Sequence, residues 1–505
     1  MLDDKNEPAP SRALSIAEVR ARITDGRVAS ADLTRDCLRR INQLNDRANA
    51  VVTLNPRVIS DARLIDRSLV RNRPLFGIPF TIKDAFETAG LRTTSGHRPL
   101  RSFVPDVNAV AVDRLLNAGG VLVGKTNLSE LAGDPQCRNP VFGVTNNPWD
   151  VSRTSGGSSG GSAAAVSLGF SWLDLGSDLA GSIRIPASYC GVVGFKATEG
   201  RLPGDGHIPP LPGRPQTVRH MLSFGLLTRR VQDARVGLDA LTPSECGSGD
   251  PIRDASDGNA APAGWQLKLA YWDDFDGLPL CTRTRQALRR TVNALAGAGH
   301  AVERRRPDGF DFGSIWGAFG TVAGTEIGAV SNPLVRSTLA ALAGLLGRSH
   351  PIARGFLAGL CSKPAAYADA LRVRNRAIDD LERFMDSYDA WILPTAPCVA
   401  YRHLRRFGMS GVAKIRFEGH ALPYLAGTIG CTAPFSLTGS PVVSLPCFAI
   451  DGLPVGLQFV GRRAQDEHLL QACAMVEKVV EGYRPPPLLA DDLRADILAR
   501  WSASR

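Results

Sequence analysis

Lysine is scarce in this chain: eight positions, against 51 arginines among 59 basic residues. Arginine therefore carries the formal net charge of +10, and a lysine beside an apolar run stands out. A long basic block is also missing. The small arginine clusters at 304–306 and 402–406 have no aromatic interleaving, so they read as solvated faces rather than a nucleic-acid surface. Cysteine occurs ten times, but always singly, with no C-x-x-C and no His/Cys cluster at zinc-ligand spacing. That excludes the usual zinc sites and reads as reduced thiols in a cytoplasmic protein. Long apolar runs are absent too. The best, 334–346, is too short for a bilayer and holds Arg336. The first 15 residues, MLDDKNEPAPSRALS, lack the apolar core of a secretory leader. Neither membrane insertion nor a metal is expected, and no fixed-period repeat points to a solenoid. The hydrophobic fraction of 44% and charged fraction of 21% are ordinary for a globular chain.

What the chain does have is concentrated at 150–195, DVSRTSGGSSGGSAAAVSLGFSWLDLGSDLAGSIRIPASYCGVVGF. Glycine and serine crowd at 155–162 and again at 176–182, with small and apolar residues between them. Taken alone, 155–162 has the composition of a linker. A flexible linker has no reason to be interrupted by apolar runs, however. The competing reading is a folded site of two tight turns that present serine hydroxyls and free N–H groups. Acyl transfer needs that combination: an activated hydroxyl and donors for an oxyanion. Upstream, the run 75–84 (LFGIPFTIKD) reads as a strand with Lys83 at its apolar end. Desolvation there would lower the lysine pKa and leave a neutral amine, a general base; a lysine snorkelling from a strand end is the bland alternative.

Two motif matches fail on context. Residues 119–126 fit G-x-x-x-x-G-K-[ST], but the apolar strand 121–123 lies inside the spacer, where a phosphate loop would have to wrap its ligand. ATP binding is accordingly the weakest reading carried. Residues 157–161 fit the G-x-S-x-G elbow with Ser159, but no strand is expected before it. That alternative also needs a downstream histidine such as His403, His420 or His468. No histidine lies in either serine loop or beside Lys83, so none of the eight is expected to be a catalytic base.

The rest of the chain alternates helices and strands. Ser15 with Glu18 forms a capping box before a helix at Ile16. Helices are expected at 31–42, 59–70, 109–118, 163–168, 231–241, 284–298 and 466–480. Strands are expected at 121–123, 191–195, 267–271, 390–393, 442–446 and 457–460. Residues 267–302 read as a β-α-β unit, 245–263 as a surface linker, and 315–383 as a helical cap. The fold class expected is α/β, with a central mixed sheet covered by helices on both faces. Tails are expected at 1–14 and 486–505, around one domain at 15–485.

Residues 77–84, 156–162 and 178–186 together resemble the amidase signature family, and the resemblance runs over about residues 15–485. It includes Gly124-Lys125-Thr126-Asn127, Asn147-Pro148-Trp149-Asp150, Leu393-Pro394-Thr395 and Gly452-Leu453-Pro454-Val455-Gly456-Leu457-Gln458. The resemblance implies a Ser-Ser-Lys amide hydrolase that needs no cofactor. Lys83 takes the position of the catalytic lysine, Ser158 that of the bridging serine, and Ser182 that of the acylated nucleophile. The oxyanion donors implied are the backbone N–H groups of Leu179, Ala180, Gly181 and Ser182. Two departures stand out. Ala180-Gly181-Ser182 replaces Gly-Gly-Ser, which strains Ala180 if its φ is positive, and Ser223-Phe224-Gly225-Leu226 replaces Ser-x-Gly-Pro. The expected function is hydrolysis of a carboxylic amide, extending to esters or carbamates. The alternative is the glutaminase subunit of a tRNA-dependent amidotransferase. The expected partner is a small-molecule amide, with a homodimer admitted. Segments 131–142, 204–215 and 315–366 are expected to shape the pocket, and their apolar and small residues lean toward an aryl or alkyl amide.

Overall fold

The computed structural model describes residues 14–242, 264–329, 350–360, 364–404 and 413–490. The linker expected at 245–263 and nearly all of the tail expected at 1–14 lie outside them. Leu488 and Leu489 are buried, so packing continues past the boundary expected at 485.

Eleven strands form one sheet. In spatial order they are Val51–Leu54, Val121–Thr126, Pro79–Lys83, Leu173–Asp178, Ser223–Thr228, Val193–Lys196, Val442–Ile450, Leu453–Val460, Ala390–Pro394, Lys268–Tyr271 and Ala301–Arg304. Pro79–Lys83 runs parallel to both of its neighbours, whereas Ser223–Thr228 is antiparallel to its own, so the sheet is mixed as expected. Lys268–Tyr271, the helix Thr282–Gly297 and Ala301–Arg304 make the β-α-β unit, with parallel strands.

The strand that carries Lys83 is buried along its whole length. Its side chains alternate between faces. Phe80 and Ile82 join Leu173 and Leu175 in one apolar core. The opposite face meets the helix Gly160–Ser167, every residue of which is buried and whose Ala163 to Val166 pack into a second core. Each fully buried Phe or Ile contributes about 1.5–3 kcal/mol of transfer free energy. A five-residue strand between two such layers is held rigidly, and with it the lysine at its end.

Several boundaries differ from expectation. The strand begins at Pro79 rather than 75, because 75–78 form a turn. The helix expected at 59–70 runs Val58–Asp66, and Leu69 and Val70 beyond it are exposed. The helix expected at 163–168 begins at Gly160, inside the glycine run. A strand, Asp150–Thr154, does precede the serine loop, contrary to the sequence reading; it pairs with Asn146–Asn147 and bridges to Arg402, outside the main sheet. Ser15 caps its helix through the full capping box. The helix Val231–Leu241 has the bounds expected.

The cap region contains Phe312–Gly328, Pro351–Leu360 and Pro364–Met385. Buried Glu326 ties it to the loop before Ser223. Its Oε2 accepts from Arg219 N–H at 2.8 Å and His220 N–H at 3.1 Å, and its Oε1 accepts from Tyr367 O–H at 2.7 Å. Glu326→Ala would leave two backbone donors without their acceptor, at about 1–3 kcal/mol each when buried. Thermal denaturation should show a clear fall in Tm for this variant. An unchanged Tm would mean the tie contributes nothing.

Candidate active site

Lys83 has no exposed surface, and neither has Ser158. Lys83 Nζ lies within hydrogen-bond distance of Ser158 Oγ, at 2.6 Å, Ser177 Oγ, at 3.0 Å, and Ser177 O, at 3.5 Å. Burial pulls the lysine pKa down from its ordinary value to about 7, although Cys137, Asp178 and Asp174 oppose that shift. Asp84 behaves as strand alternation requires. Its Oδ2 accepts from Thr94 N–H at 3.0 Å and Thr94 Oγ1–H at 2.6 Å, and its cationic neighbour is Lys125. Two other carboxylates, Asp174 and Asp178, act on Lys83 from the adjacent strand Leu173–Asp178.

The glycine run follows from close packing. A Cβ on Gly157 would lie 2.5 Å from Asp134 O, and one on Gly161 would lie 2.4 Å from Asn127 N. Only a bare backbone fits between these segments, which draws the loop over the lysine. The Gly157–Ser158 peptide is cis. Ser159 N–H donates to Ser182 O at 3.1 Å, joining the two serine loops through the backbone next to both hydroxyls.

Asp178 shapes the second turn. Its Oδ1 accepts from Gly181 N–H at 2.7 Å and Arg184 Nη2 at 2.9 Å. Its Oδ2 accepts from Ile183 N–H and Arg184 Nε, both at 3.0 Å. Burial alone would raise the Asp178 pKa, but the Arg184 guanidinium and these donors hold it well below the carboxylate range. The Gly181 N–H is thereby committed, so the expectation that it is a free oxyanion donor is corrected. No hydrogen bond among the described residues engages the N–H of Leu179, Ala180 or Ser182. These three residues are half-buried, whereas Lys83, Ser158 and Gly181 are buried.

The strain anticipated at Ala180 is not there. Gly181 is the residue with positive φ, at 123°, and Ala180 has an ordinary backbone. The Ala180 carbonyl accepts from Thr432 Oγ1–H at 2.5 Å. A Cβ on Gly181 would meet that same Thr432 Oγ1 at 2.5 Å and Ile185 Cδ1 at 2.6 Å.

The rejected motifs stay rejected. Gly124, Lys125 and Thr126 are strand residues, and buried Lys125 donates to Thr88 Oγ1 at 2.8 Å, Thr93 Oγ1 at 3.1 Å and Phe86 O. Ser159 Oγ donates to Ser177 O at 3.4 Å, and no described hydrogen bond links it to His403, His420 or His468. One histidine was missed. His207 lies beside the lysine in space, with Nε2 2.9 Å from Ser177 Oγ. Only a histidine inside a Pro/Gly loop hinted at this, and the contact spans 30 residues of chain.

A sheet of this order holds a buried lysine under two serine turns, which together offer the amine, hydroxyls and free N–H groups that acyl transfer needs. Residues 32–470 match the family model described as Amidase, and the chain belongs to that family. It is an amidase signature enzyme, acting on carbon–nitrogen amide bonds. Among curated relatives, it is 32% identical to a glutamyl-tRNA(Gln) amidotransferase subunit from Moorella thermoacetica, over 92% of this chain and 96% of that one. A crystal structure of an amidase matches with TM-score 0.75 and 30% identity, over 92% of this chain and all of that one, 100%. The substrate complex of 6-aminohexanoate cyclic dimer hydrolase matches with TM-score 0.75 and 25% identity, over 94% of this chain and 99% of the other. No helix among the described residues is long and apolar enough to cross a membrane.

The turn geometry makes a paired prediction. Gly181→Ala forces a side chain into Thr432 and Ile185 at positive φ, and should lower kcat/KM by about a hundredfold or more, the scale of a lost oxyanion donor. Ala180→Gly should stay within about threefold, since no strain is there to relieve and the backbone groups that bond there are kept. Steady-state kinetics on folded variants checks both; equal effects would refute this assignment of the turn.

Proposed function

We propose that this enzyme hydrolyses a small, largely apolar carboxylic amide through an acyl-Ser182 ester, with Lys83 as base and Ser158 as proton relay. The observation that carries the reading is the buried Lys83 amine 2.6 Å from Ser158 Oγ. A serine hydroxyl is a weak nucleophile until a base removes its proton. Neutral Lys83 takes the Ser158 proton, Ser158 takes that of Ser182, and Ser182 Oγ attacks the amide carbon. The N–H groups of Leu179, Ala180 and Ser182 receive the oxyanion, and one such donor is worth about 2.7–4 kcal/mol. The proton held on Lys83 returns through Ser158 to the leaving nitrogen as the C–N bond breaks. Water, activated by the same relay, then cleaves the ester, releasing the acid and restoring Ser182. Every proton is accounted for by the chain's own residues.

The chemistry around the turn supports an apolar substrate. Leu179 and Ala180 pack against a cluster that includes Ile185, Met221 and, from the cap, Trp316 and Phe319. The charged groups of the turn, Asp178 and Arg184, are fully buried and bonded to each other. Glutamine would bring an ammonium and a carboxylate that need free partners. The likeness to an amidotransferase component favours a second reading as a glutaminase with a protein partner. Ammonia release from glutamine, set against hydrolysis of an anilide panel, separates the two. The account expects the anilides to turn over and glutamine to be inert.

Three outcomes test the assignment. A fluorophosphonate should add one equivalent to the enzyme, mapped to Ser182 by peptide mass spectrometry. Full labelling of Ser182→Ala would sink the nucleophile. Lys83 must be neutral to act, and burial sets its pKa near about 7. Below that pH the amine is protonated and inactive; above it the amine is free. The rate should therefore rise with pH through about 7 and level off on the alkaline side. Lys83→Arg should be inactive, because a guanidinium stays protonated and cannot accept the proton. Near-native activity in Lys83→Arg would make Lys83 an electrostatic anchor instead of the base.

A further inference from the structure

His207 has no part in the chemistry so far, yet it is buried against it. Its ring stands edge-on to Phe86 and Phe224, with centroids 5.0 Å and 5.2 Å away. Each ring nitrogen meets one oxygen: Nδ1 is 3.1 Å from Pro209 O, and Nε2 is 2.9 Å from Ser177 Oγ. A carbonyl oxygen only accepts, so Nδ1 carries the proton. Burial, and then the neighbouring Lys83, hold the imidazole neutral, with its pKa down to about 3. A neutral ring protonated at Nδ1 has its lone pair at Nε2, and Ser177 Oγ–H donates to it.

This fixes the direction of every bond around the base. With its proton on His207, Ser177 Oγ can only accept from Lys83, 3.0 Å away. Ser177 O, 3.5 Å away, is also an acceptor. A neutral amine has two N–H bonds and one lone pair. When both N–H bonds point at Ser177, the lone pair is left facing Ser158 Oγ at 2.6 Å.

We propose that His207 is a positioning residue for amide hydrolysis: by accepting the Ser177 hydroxyl proton, it makes Ser177 acceptor-only and turns the Lys83 lone pair toward Ser158. The inference rests on the reading of Lys83 as base. Without the histidine acceptor, Ser177 Oγ–H is free to donate to Lys83. That donation occupies the lone pair, which slows proton abstraction. It also stabilises the neutral amine, which lowers the apparent pKa of the base. The other groups facing Lys83 are Asp174 and Asp178 on its neighbouring strand and Cys137 across the glycine loop. Burial raises Asp174 to about 6 and Cys137 to about 11, while Arg184 keeps Asp178 ionised. All three are present in every variant, so they do not account for a difference between them.

The test uses the full chain and the second-order rate of fluorophosphonate inactivation, followed by intact-protein mass spectrometry from pH 6 to about 9.5. His207→Phe keeps the ring among Phe86 and Phe224 but has no acceptor. It should react about tenfold or more slowly at its plateau, with the midpoint of its pH profile moved to lower pH. His207→Gln puts an amide acceptor near the Nε2 position and should recover most of the loss. The double variant with Ser177→Ala should be no slower than Ser177→Ala alone, because His207 acts through that hydroxyl. Should His207→Phe fail to fold, 15N NMR of the parent's labelled histidines still decides: His207 must show a protonated Nδ1 and a bare Nε2. An Nε2–H tautomer, additive effects in the double variant, or an unchanged profile in His207→Phe would overturn the proposal. Lys83→Ala, run in the same series, keeps the two levels apart. If it retains the parent's pH-dependent rate, the base assignment itself fails; if it is inert while His207→Phe is normal, only the role of His207 fails.

Discussion

An amine buried without exposed surface, 2.6 Å from a serine hydroxyl, is the contact on which the rest of this molecule depends. Burying an ammonium is costly, and the group responds by giving up its proton near neutral pH instead of near 10. The same desolvation that makes Lys83 expensive to hold as a cation is what the proposed mechanism needs of a base. The sheet supplies the burial. Pro79–Lys83 lies between two parallel neighbours, with one apolar core beneath it and the small-residue helix Gly160–Ser167 above. The helix can approach because Gly160 and Gly161 have no side chains to meet Cys137 and Asn127.

The second turn solves a different problem, which is how to leave some N–H groups free while all others near them are satisfied. Asp178 does this by selection. It collects the N–H groups of Gly181 and Ile183 and ties itself to Arg184, leaving those of half-buried Leu179, Ala180 and Ser182 with no partner among the described residues. Arg184 is in turn fastened to Thr432 O and Ser436 Oγ, so the turn is anchored to a segment some 250 residues away in sequence. Taking away either member of the Asp178–Arg184 pair would strand a buried charge, typically about 3–5 kcal/mol.

The local elements were largely legible in the sequence. The Ser15–Glu18 box, the apolar strand ending in Lys83 and the helix Val231–Leu241 all follow from nearest-neighbour chemistry. The errors fall where distant contacts override local preference. A helix that opens on Gly160 contradicts propensity and is fixed by packing on Cys137 and Asn127. Asp150–Thr154 is polar and pairs with a dipeptide strand and a bridge at Arg402, so it lacks the apolar signature of the main sheet. Lys83, Ser158 and Ser182 were legible as candidates because each sits in a dense local motif. His207 was not, because its partner Ser177 is brought to it by the pairing of Leu173–Asp178 with Ser223–Thr228, which no local pattern encodes. The commitment of the Gly181 N–H to Asp178 is likewise a matter of geometry that motif matching does not carry.

The most direct test of the central claim is to watch the amine titrate. With only eight lysines, the chain is suited to 13C labelling at the lysine ε-carbon, with Lys83→Ala assigning the signal. Lys125 and Lys196 are also buried with lowered values, about 8 and about 7, and serve as internal comparisons. The account predicts that the Lys83 signal shifts through a midpoint near about pH 7, coincident with the rise in rate. A Lys83 that stays an ammonium to pH 9 or above, while the enzyme is fully active at pH about 8, would contradict it.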